Sequence, residues 1–253
     1  YPEKYGGGNL DFFFEVVLNE EMGRLNSGGF TITQQAVQYM SGPHILKYGS
    51  DMLKSKYLPG IISGNLISCI GITEPNTGSD VQNIQTNAIK KGDNYIVNGS
   101  KTFITNGVYG DFVVTVVKTD PAARSKGISL LVIDLDSPGI TKTKIDKLGW
   151  RSSDTAELSF DNVVVPSENL VGEEGKGFYY LMNGLQLERL CFMPSSIATM
   201  EFAISESLSY MNERKAFGKT IDKLQVLRHR IAQLSSEIEA LKVFSYYCCN
   251  LFD

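Results

Sequence analysis

Between residues 11 and 64 the apolar positions recur at helical spacing. The run FFFEVVLNEEMGRL carries a stripe three and four residues apart, and GGF, SGP and LPG, the triplets starting at Gly28, Ser41 and Leu58, read as helix stops. From Leu66 the texture changes. NLISCIGIT, YIVNGSKTFITN, DFVVTVVKT, GISLLVIDL and AELSFDNVVVP are short β-rich runs broken by Gly, Asn, Asp and Pro, which predicts an antiparallel sheet or barrel over 66–166. After VGEEGKG the helical period returns over 178–212 and 221–250. Helices, then strands, then helices is an α+β order, and it argues against a doubly wound nucleotide-binding sheet, in which the two alternate. The predicted divisions are a helical part over 1–65, a middle β domain over 66–170 and a helical domain from 171 to the end.

The glycine runs agree with that exclusion. YGGGNLDF follows no strand and lacks the GxGxxG spacing, and GEEGKGFY is not a phosphate-binding GxxxxGK[ST] loop. Hydrophobic residues make up 42% and charged residues 21% of the 253 residues, as in an ordinary folded protein. A net charge of −4 with dispersed lysines and arginines disfavours nucleic acid or an anionic membrane as the main partner. No apolar run is long enough to span a bilayer, so the sequence predicts a soluble, intracellular protein. Cys69, Cys191, Cys248 and Cys249 show no CxxC spacing and suit a reducing compartment. With only His44 and His229, a histidine-rich metal site is disfavoured, and both read as structural or surface residues.

Three stretches carry candidate chemistry. GITEPNTGSD places Thr73, Glu74, Pro75, Gly78, Ser79 and Asp80 in a turn after an apolar strand, where amides and hydroxyls can meet an anionic or carbonyl-rich ligand. FITNG puts Phe103 beside Thr105, a ring to cover a flat heteroaromatic group and a hydroxyl for its edge. Read alone, the first motif is more often explained by turn chemistry, and the second by a buried Phe with a strand threonine. In NGLQLERLCF, helical spacing surrounds Glu188 with Leu181, Gly184, Leu185, Cys191, Phe192 and Ser195. A carboxylate in such company must be paired, neutralised by a raised pKa, or required by chemistry.

YPEKYGG, ITEPNTGSD, NGSKTFITNG, LGWRSSDTAELSFDNVVVP, GLQLERL and ERKAFGK, in this order and spacing, resemble the acyl-CoA dehydrogenase family, and within it the isovaleryl-CoA dehydrogenase-like branch. The resemblance covers essentially the whole chain. It implies a helical N-terminal part, a middle β-barrel domain, a C-terminal helical bundle, bound FAD and a homotetramer. Family members are longer at both ends, so the chain is expected to be a core fragment. The implied activity is oxidation of a short or branched acyl-CoA thioester to the 2,3-enoyl-CoA, with electrons passed to electron-transferring flavoprotein, in mitochondrial matrix or bacterial cytoplasm.

Residue by residue, the resemblance puts Ile70, Ile72, Thr73, Gly78 and Ser79 along the flavin, with Phe103, Ile104 and Thr105 beside its centre. The family's usual residue at position 103 is tryptophan. Arg214, Phe217 and Gln225 match positions that reach the FAD of a neighbouring subunit. Ser79, Ser125 and Lys126 match positions near the thioester and CoA, and Tyr179, Gln186, Leu187, Glu188 and Arg189 match substrate-contacting positions. Gln186 departs from the acidic residue of the isovaleryl pattern. Most family members place the catalytic glutamate far downstream, outside this sequence; a minority carry it on the helix matching LQLERL, where this chain has Glu188. Gly184, one turn earlier, is expected to leave room for the acyl group. Against this reading stand a salt-bridged structural Glu188, a flavin oxidase or monooxygenase of the same fold, and a catalytically silent binding protein.

Overall fold

The computed structural model describes residues 1–252. The N-terminal helices are α1 (Phe12–Arg24), α2 (Gly28–Gln35), α3 (Gly42–Tyr48) and α4 (Asp51–Ser63), and a π-helical segment, Ala36–Ser41, joins α2 directly to α3. Asp11 caps α1 by accepting from the Phe13 amide at 3.0 Å, and Ser50 caps α4 by accepting from the Leu53 amide at 3.2 Å.

The three expected stops are not stops. Gly28 opens α2, Ser41–Pro43 lies within a continuous helical run, and Pro59 sits inside α4. In the π segment the Gly42 amide bonds back to the Val37 carbonyl, and this wider turn passes into α3 with Pro43 in its first turn, where a missing N–H matters little. An interior proline costs about 3 kcal/mol. In α4 the burial of Leu53, Tyr57, Leu58 and Ile61 offsets it, and the helix ends instead at Gly64, whose φ of 76° only glycine adopts freely.

The strands are β1 (Ser68–Gly71), β2 (Asn87–Lys91), β3 (Asn94–Thr105), β4 (Phe112–Lys118), β5 (Ile128–Asp134), β6 (Ile140–Lys144) and β7 (Thr155–Pro166). They form one seven-stranded sheet in the order β1-β4-β2-β3-β7-β6, with β5 also paired to β4. Two pairings depart from the antiparallel expectation: β1 lies parallel to β4, Cys69 opposite Val113, and β2 meets the end of β4 in parallel, Asn87 opposite Lys118. Strand β4 shows why the sheet reads as continuous apolar runs. Val113 and Val117 face one core with Cys69, Tyr95, Leu131 and Leu158, while Phe112, Val114 and Val116 face a second with Ile45, Leu53, Tyr57 and Leu58.

Two long helices follow, α5 (Gly177–Glu213) and α6 (Gln225–Phe252), with a small hairpin between them of β8 (Lys215–Ala216) and β9 (Lys219–Thr220). The chain forms two compact units. Tyr1–Asn9 with Ile32–Glu188 holds the sheet, and Leu10–Thr31 joins the chain from Arg189 onwards. Within the second unit Lys242 reaches Glu201 at 2.7 Å, the Phe12 and Phe252 ring centres lie 5.0 Å apart, and the Tyr246 hydroxyl donates to Glu20. Helix α6 leaves Leu241, Val243, Phe244 and Tyr247 exposed. None of the helices among the described residues is long and apolar enough to cross a membrane.

Candidate active site

The end of β3 is shaped by a register shift. Pairing with β7 runs to Lys101 opposite Leu158 and resumes at Ile104 opposite Ala156, leaving Thr102 and Phe103 outside the ladder. Phe103 takes a left-handed φ of 61° and turns outward, 67% exposed, while Ile104 returns to the core. A buried Phe103, the plain structural alternative, is therefore excluded. The Thr102 amide donates to the Thr73 carbonyl at 2.9 Å, which draws the segment after β1 alongside. Between them lies a cleft of about 130 Å³ lined by Ile70, Ile72, Thr73, Phe103, Ile104 and Thr105, six of the residues expected at the flavin. Ala36 and Met40 of the π segment form its remaining wall.

Those two were not singled out from the sequence. A helix with an extra residue per turn leaves no mark on the apolar period that residues 36–41 already carry. The segment is fixed to β1 by the Ser41 and Ser68 hydroxyls, 2.5 Å apart, and the Asn106 amide nitrogen donates to the Thr33 and Ser68 carbonyls at 3.0 and 3.2 Å.

Beneath the cleft lies a buried ion pair that the sequence did not disclose. Lys101 Nζ donates to the Glu74 carboxylate at 2.8 Å and to the Ile72 carbonyl at 3.1 Å. The carboxylate also accepts from the Gln85 and Thr86 amides at 2.6 and 2.9 Å. Burial pushes the Lys101 pKa down to about 8 against the pull of Glu74. Burial also opposes ionisation of Glu74, but Lys101 and the two amides outweigh it and hold that pKa below the usual carboxylate range. Glu74, expected to face a ligand from the turn, is thus turned inward.

The fit to a flat ring rests on chemistry. Ile70, Ile72, Ile104 and Met40 supply apolar lining, and Phe103 adds an exposed aromatic ring at its edge. Neither the Thr73 nor the Thr105 hydroxyl has a hydrogen-bond partner among the described residues, so both are available to a ligand's edge. A larger recess of about 290 Å³, lined by residues including Thr33, Tyr109, Arg151 and Asp154, contains none of the expected site residues and lacks that apolar lining.

Glu188 is buried, 8% exposed, in the same compact unit as the cleft, although it is not among the cleft's lining residues. Gly184 does not hold space for an acyl group. A Cβ there would stand 2.7 Å from Cε1 and 2.8 Å from Nε2 of His44, and 3.7 Å from Glu188 Oε1, so the missing side chain accommodates the histidine ring. His44 is 2% exposed, and its Nδ1 lies 2.6 Å from the Met40 carbonyl, a wall residue of the cleft. A glycine inside a helix costs about 1 kcal/mol relative to alanine, the one sequence signal that something presses against this turn.

The remaining expected residues are dispersed. Gly78 and Ser79 lie on a bend beyond the Glu74–Thr77 bridge and do not line the cleft. Ser125 and Lys126 fall in the 3₁₀ stretch Pro121–Gly127 ahead of β5. On α5, Tyr179, Gln186 and Arg189 are exposed and Leu187 half-buried. Arg214, Phe217 and Gln225, at and after the β8–β9 hairpin, belong to the other unit and are exposed, Phe217 at 92% with a φ of 53°.

Sequence profiles agree with this architecture. "Acyl-CoA dehydrogenase, N-terminal domain" matches residues 1–65, the "middle domain" 69–163 and the "C-terminal domain" 175–253. The chain is 38% identical over 246 residues to the mitochondrial isovaleryl-CoA dehydrogenase of Oryza sativa, covering 97% of this chain and 60% of that protein. It is 39% identical over 256 residues to the mitochondrial long-chain specific acyl-CoA dehydrogenase of Sus scrofa, covering 99% and 59%. It therefore spans about 60% of the length of such relatives. The crystal structure of an acyl-CoA dehydrogenase from Geobacillus kaustophilus superposes with a TM-score of 0.91 at 42% identity, over 99% of this chain and 67% of that one. The chain belongs to the acyl-CoA dehydrogenase family.

Proposed function

We propose that this chain forms the core of an FAD-dependent acyl-CoA dehydrogenase in which Glu188 removes the α-proton of a short or branched acyl thioester. The observation that carries the reading is the burial of Glu188 in the same unit as a cleft with apolar lining, an exposed aromatic ring at its edge and two available hydroxyls. A carboxylate is a weak base in water; kept from solvent, it becomes strong enough to act on an acidified C–H. FAD supplies the acceptor for the β-hydride. Phe103 covers the flavin face, Thr73 and Thr105 meet its edge, and Ile70, Ile72 and Ile104 exclude water. Gly78 and Ser79 approach the flavin and thioester from the bend. Tyr179, Gln186, Leu187 and Arg189 border the acyl chain, and Ser125 and Lys126 meet the CoA. Arg214, Phe217 and Gln225 serve the FAD of a neighbouring subunit in a homotetramer; an arginine there suits a pyrophosphate, and its exposure in one chain accords with that use. Electrons leave to electron-transferring flavoprotein, in mitochondrial matrix or bacterial cytoplasm.

The test uses the full-length flavoprotein under anaerobic conditions with acyl-CoAs from short branched to long straight. Bleaching of the flavin by at least one of them, lost in Glu188→Gln with the flavin spectrum intact, is the expected result. Failure of every thioester to bleach it, or a Glu188→Gln protein as fast as the parent, overturns the assignment. The outward, uncrowded Phe103 favours one second reading, direct reoxidation of the flavin by oxygen, and peroxide release in air distinguishes it.

A further inference from the structure

His44 has no part in the family resemblance, yet it is among the least accessible titratable groups in the chain. Its Nδ1 faces the Met40 carbonyl at 2.6 Å, so that nitrogen carries the hydrogen and donates it. Burial disfavours the imidazolium and outweighs the pull of the Met40 and Tyr180 carbonyls; the Lys47 charge acts in the same direction as burial. The ring is therefore neutral, and Nε2 presents a lone pair. That atom is buried and makes no hydrogen bond of good geometry.

Besides the Tyr180 carbonyl, the turn at Gly184 lies against Nε2. The point a Cβ would occupy is 2.8 Å from His44 Nε2 and 3.7 Å from Glu188 Oε1, so a ring nitrogen and a carboxyl oxygen, both buried, come up against the same turn of α5. Of the titratable groups near this turn, Lys47 and Tyr48 lie on α3 and Tyr180 and Glu188 on α5, while Tyr179 and Arg189 of α5 are exposed; Lys47 is the charge that acts on the His44 ring. A carboxylate opposite a lone pair is unfavourable, whereas a carboxylic acid opposite a lone pair, or a carboxylate opposite an imidazolium, is favourable. As far as each acts on the other, the two groups favour one shared proton over none.

We propose that His44 is a positioning residue that sets the protonation of Glu188, its Nε2 receiving the hydrogen of the acid that Glu188 becomes on taking the substrate's α-proton. In that step the C–H bond breaks, an O–H bond forms on Glu188, and the electron pair stays with the substrate. The new O–H then points at Nε2 and donates. The role rests on Glu188 being the base.

The experiment measures the rate of flavin reduction against pH in the full-length holoenzyme, for the parent and for His44→Gln, His44→Asn and His44→Phe. Gln sets an amide acceptor near the place of Nε2; Asn sets its amide near Nδ1, and Phe supplies neither. Expected is a displacement of the pH midpoint by about one unit or more in His44→Asn and His44→Phe, with recovery in His44→Gln and flavin content unchanged. Coincident profiles for all four overturn the proposal while leaving Glu188 as base; a fully active Glu188→Gln overturns the base assignment itself. A second measurement does not require the His44 variants to fold. In ¹⁵N-histidine-labelled protein, the Nε2 resonance of His44 is expected to move between parent and Glu188→Gln, and an unmoved resonance counts against the coupling.

Discussion

Lys101 Nζ and the Glu74 carboxylate meet at 2.8 Å, with the two side chains 0% and 2% exposed. The contact joins the strand that ends in Phe103–Thr105 to the segment that carries Ile72 and Thr73, because the same ammonium also binds the Ile72 carbonyl. Both walls of the cleft are therefore fastened from behind by one charge pair. Desolvating two ions is expensive, and breaking such a pair from one side costs more than never having built it.

Lys101→Met leaves the Glu74 carboxylate buried with only its two amide donors. The expected loss is about 3–5 kcal/mol, read as a lower urea midpoint with unchanged slope. Adding Glu74→Gln removes the orphaned charge and retains an acceptor for one amide, so the double variant should recover part of the loss. A double variant less stable than Lys101→Met, or a single variant at the parent's midpoint, contradicts the pair's role.

Acid should weaken the fold in two windows. His44 has a native pKa below its ordinary 6.5, so as pH falls through 6.5 the unfolded chain takes up a proton that the folded chain refuses, and stability drops. The native pKa of Glu74 lies below 4.5, so its contribution is fully present above that value and is lost as pH falls towards the native pKa. Urea midpoints between pH 7 and 5 should fall less for His44→Asn than for the parent, and those between pH 5 and 3 less for Glu74→Gln. Parallel curves for parent and variant refute the corresponding assignment.

Gly184→Ala sets two effects of opposite sign against each other. The helix gains about 1 kcal/mol in propensity, but the new methyl carbon would stand 2.7 Å from the His44 ring, which is held by Met40. The clash should win, giving a net loss of about 1–3 kcal/mol. In a His44→Ala background the ring is gone and the same substitution should be neutral or stabilising. Equal effects in both backgrounds mean that the glycine answers to something else.

Periodicity made much of this architecture readable, and its failures share a cause. Strands β3, β4, β5 and β7 were visible because their apolar runs are long. Asn87–Lys91 and Ile140–Lys144 escaped because NAIKK and ITKTK hold too few apolar residues to show an alternation. The parallel pairing of β1 is a long-range choice that no local spacing encodes. Lys101 in a strand reads as a solvent-facing cation, and only the fold reveals a carboxylate waiting beneath it. Six of the cleft residues were identifiable as TFIT and IGIT motifs, but their wall partners, Ala36 and Met40, sit in a π turn that looks like ordinary helix. His44 lies far from Glu188 in sequence; Gly184 was the only hint, and its space was assigned to the wrong neighbour.

Asn106 closes the turn after β3 and separates backbone from side-chain effects. Its φ is 66°, it is 1% exposed, and its amide nitrogen donates to the Thr33 and Ser68 carbonyls. A residue with a Cβ pays about 1–2 kcal/mol for a left-handed φ, less for asparagine, and nothing for glycine. Each buried hydrogen bond contributes about 1 kcal/mol. Asn106→Gly should therefore lose only the hydrogen bonds, about 2 kcal/mol, whereas Asn106→Ala should lose a further 1 kcal/mol or so through the backbone. Because both bonds reach structure beside the cleft, the proposed function further predicts that each variant weakens FAD retention in the full-length protein, measured by the flavin absorbance left after gel filtration. If Asn106→Gly is the less stable of the two, the strain argument fails; if both keep the parent's stability and flavin, the side-chain bonds contribute nothing to holding the cleft.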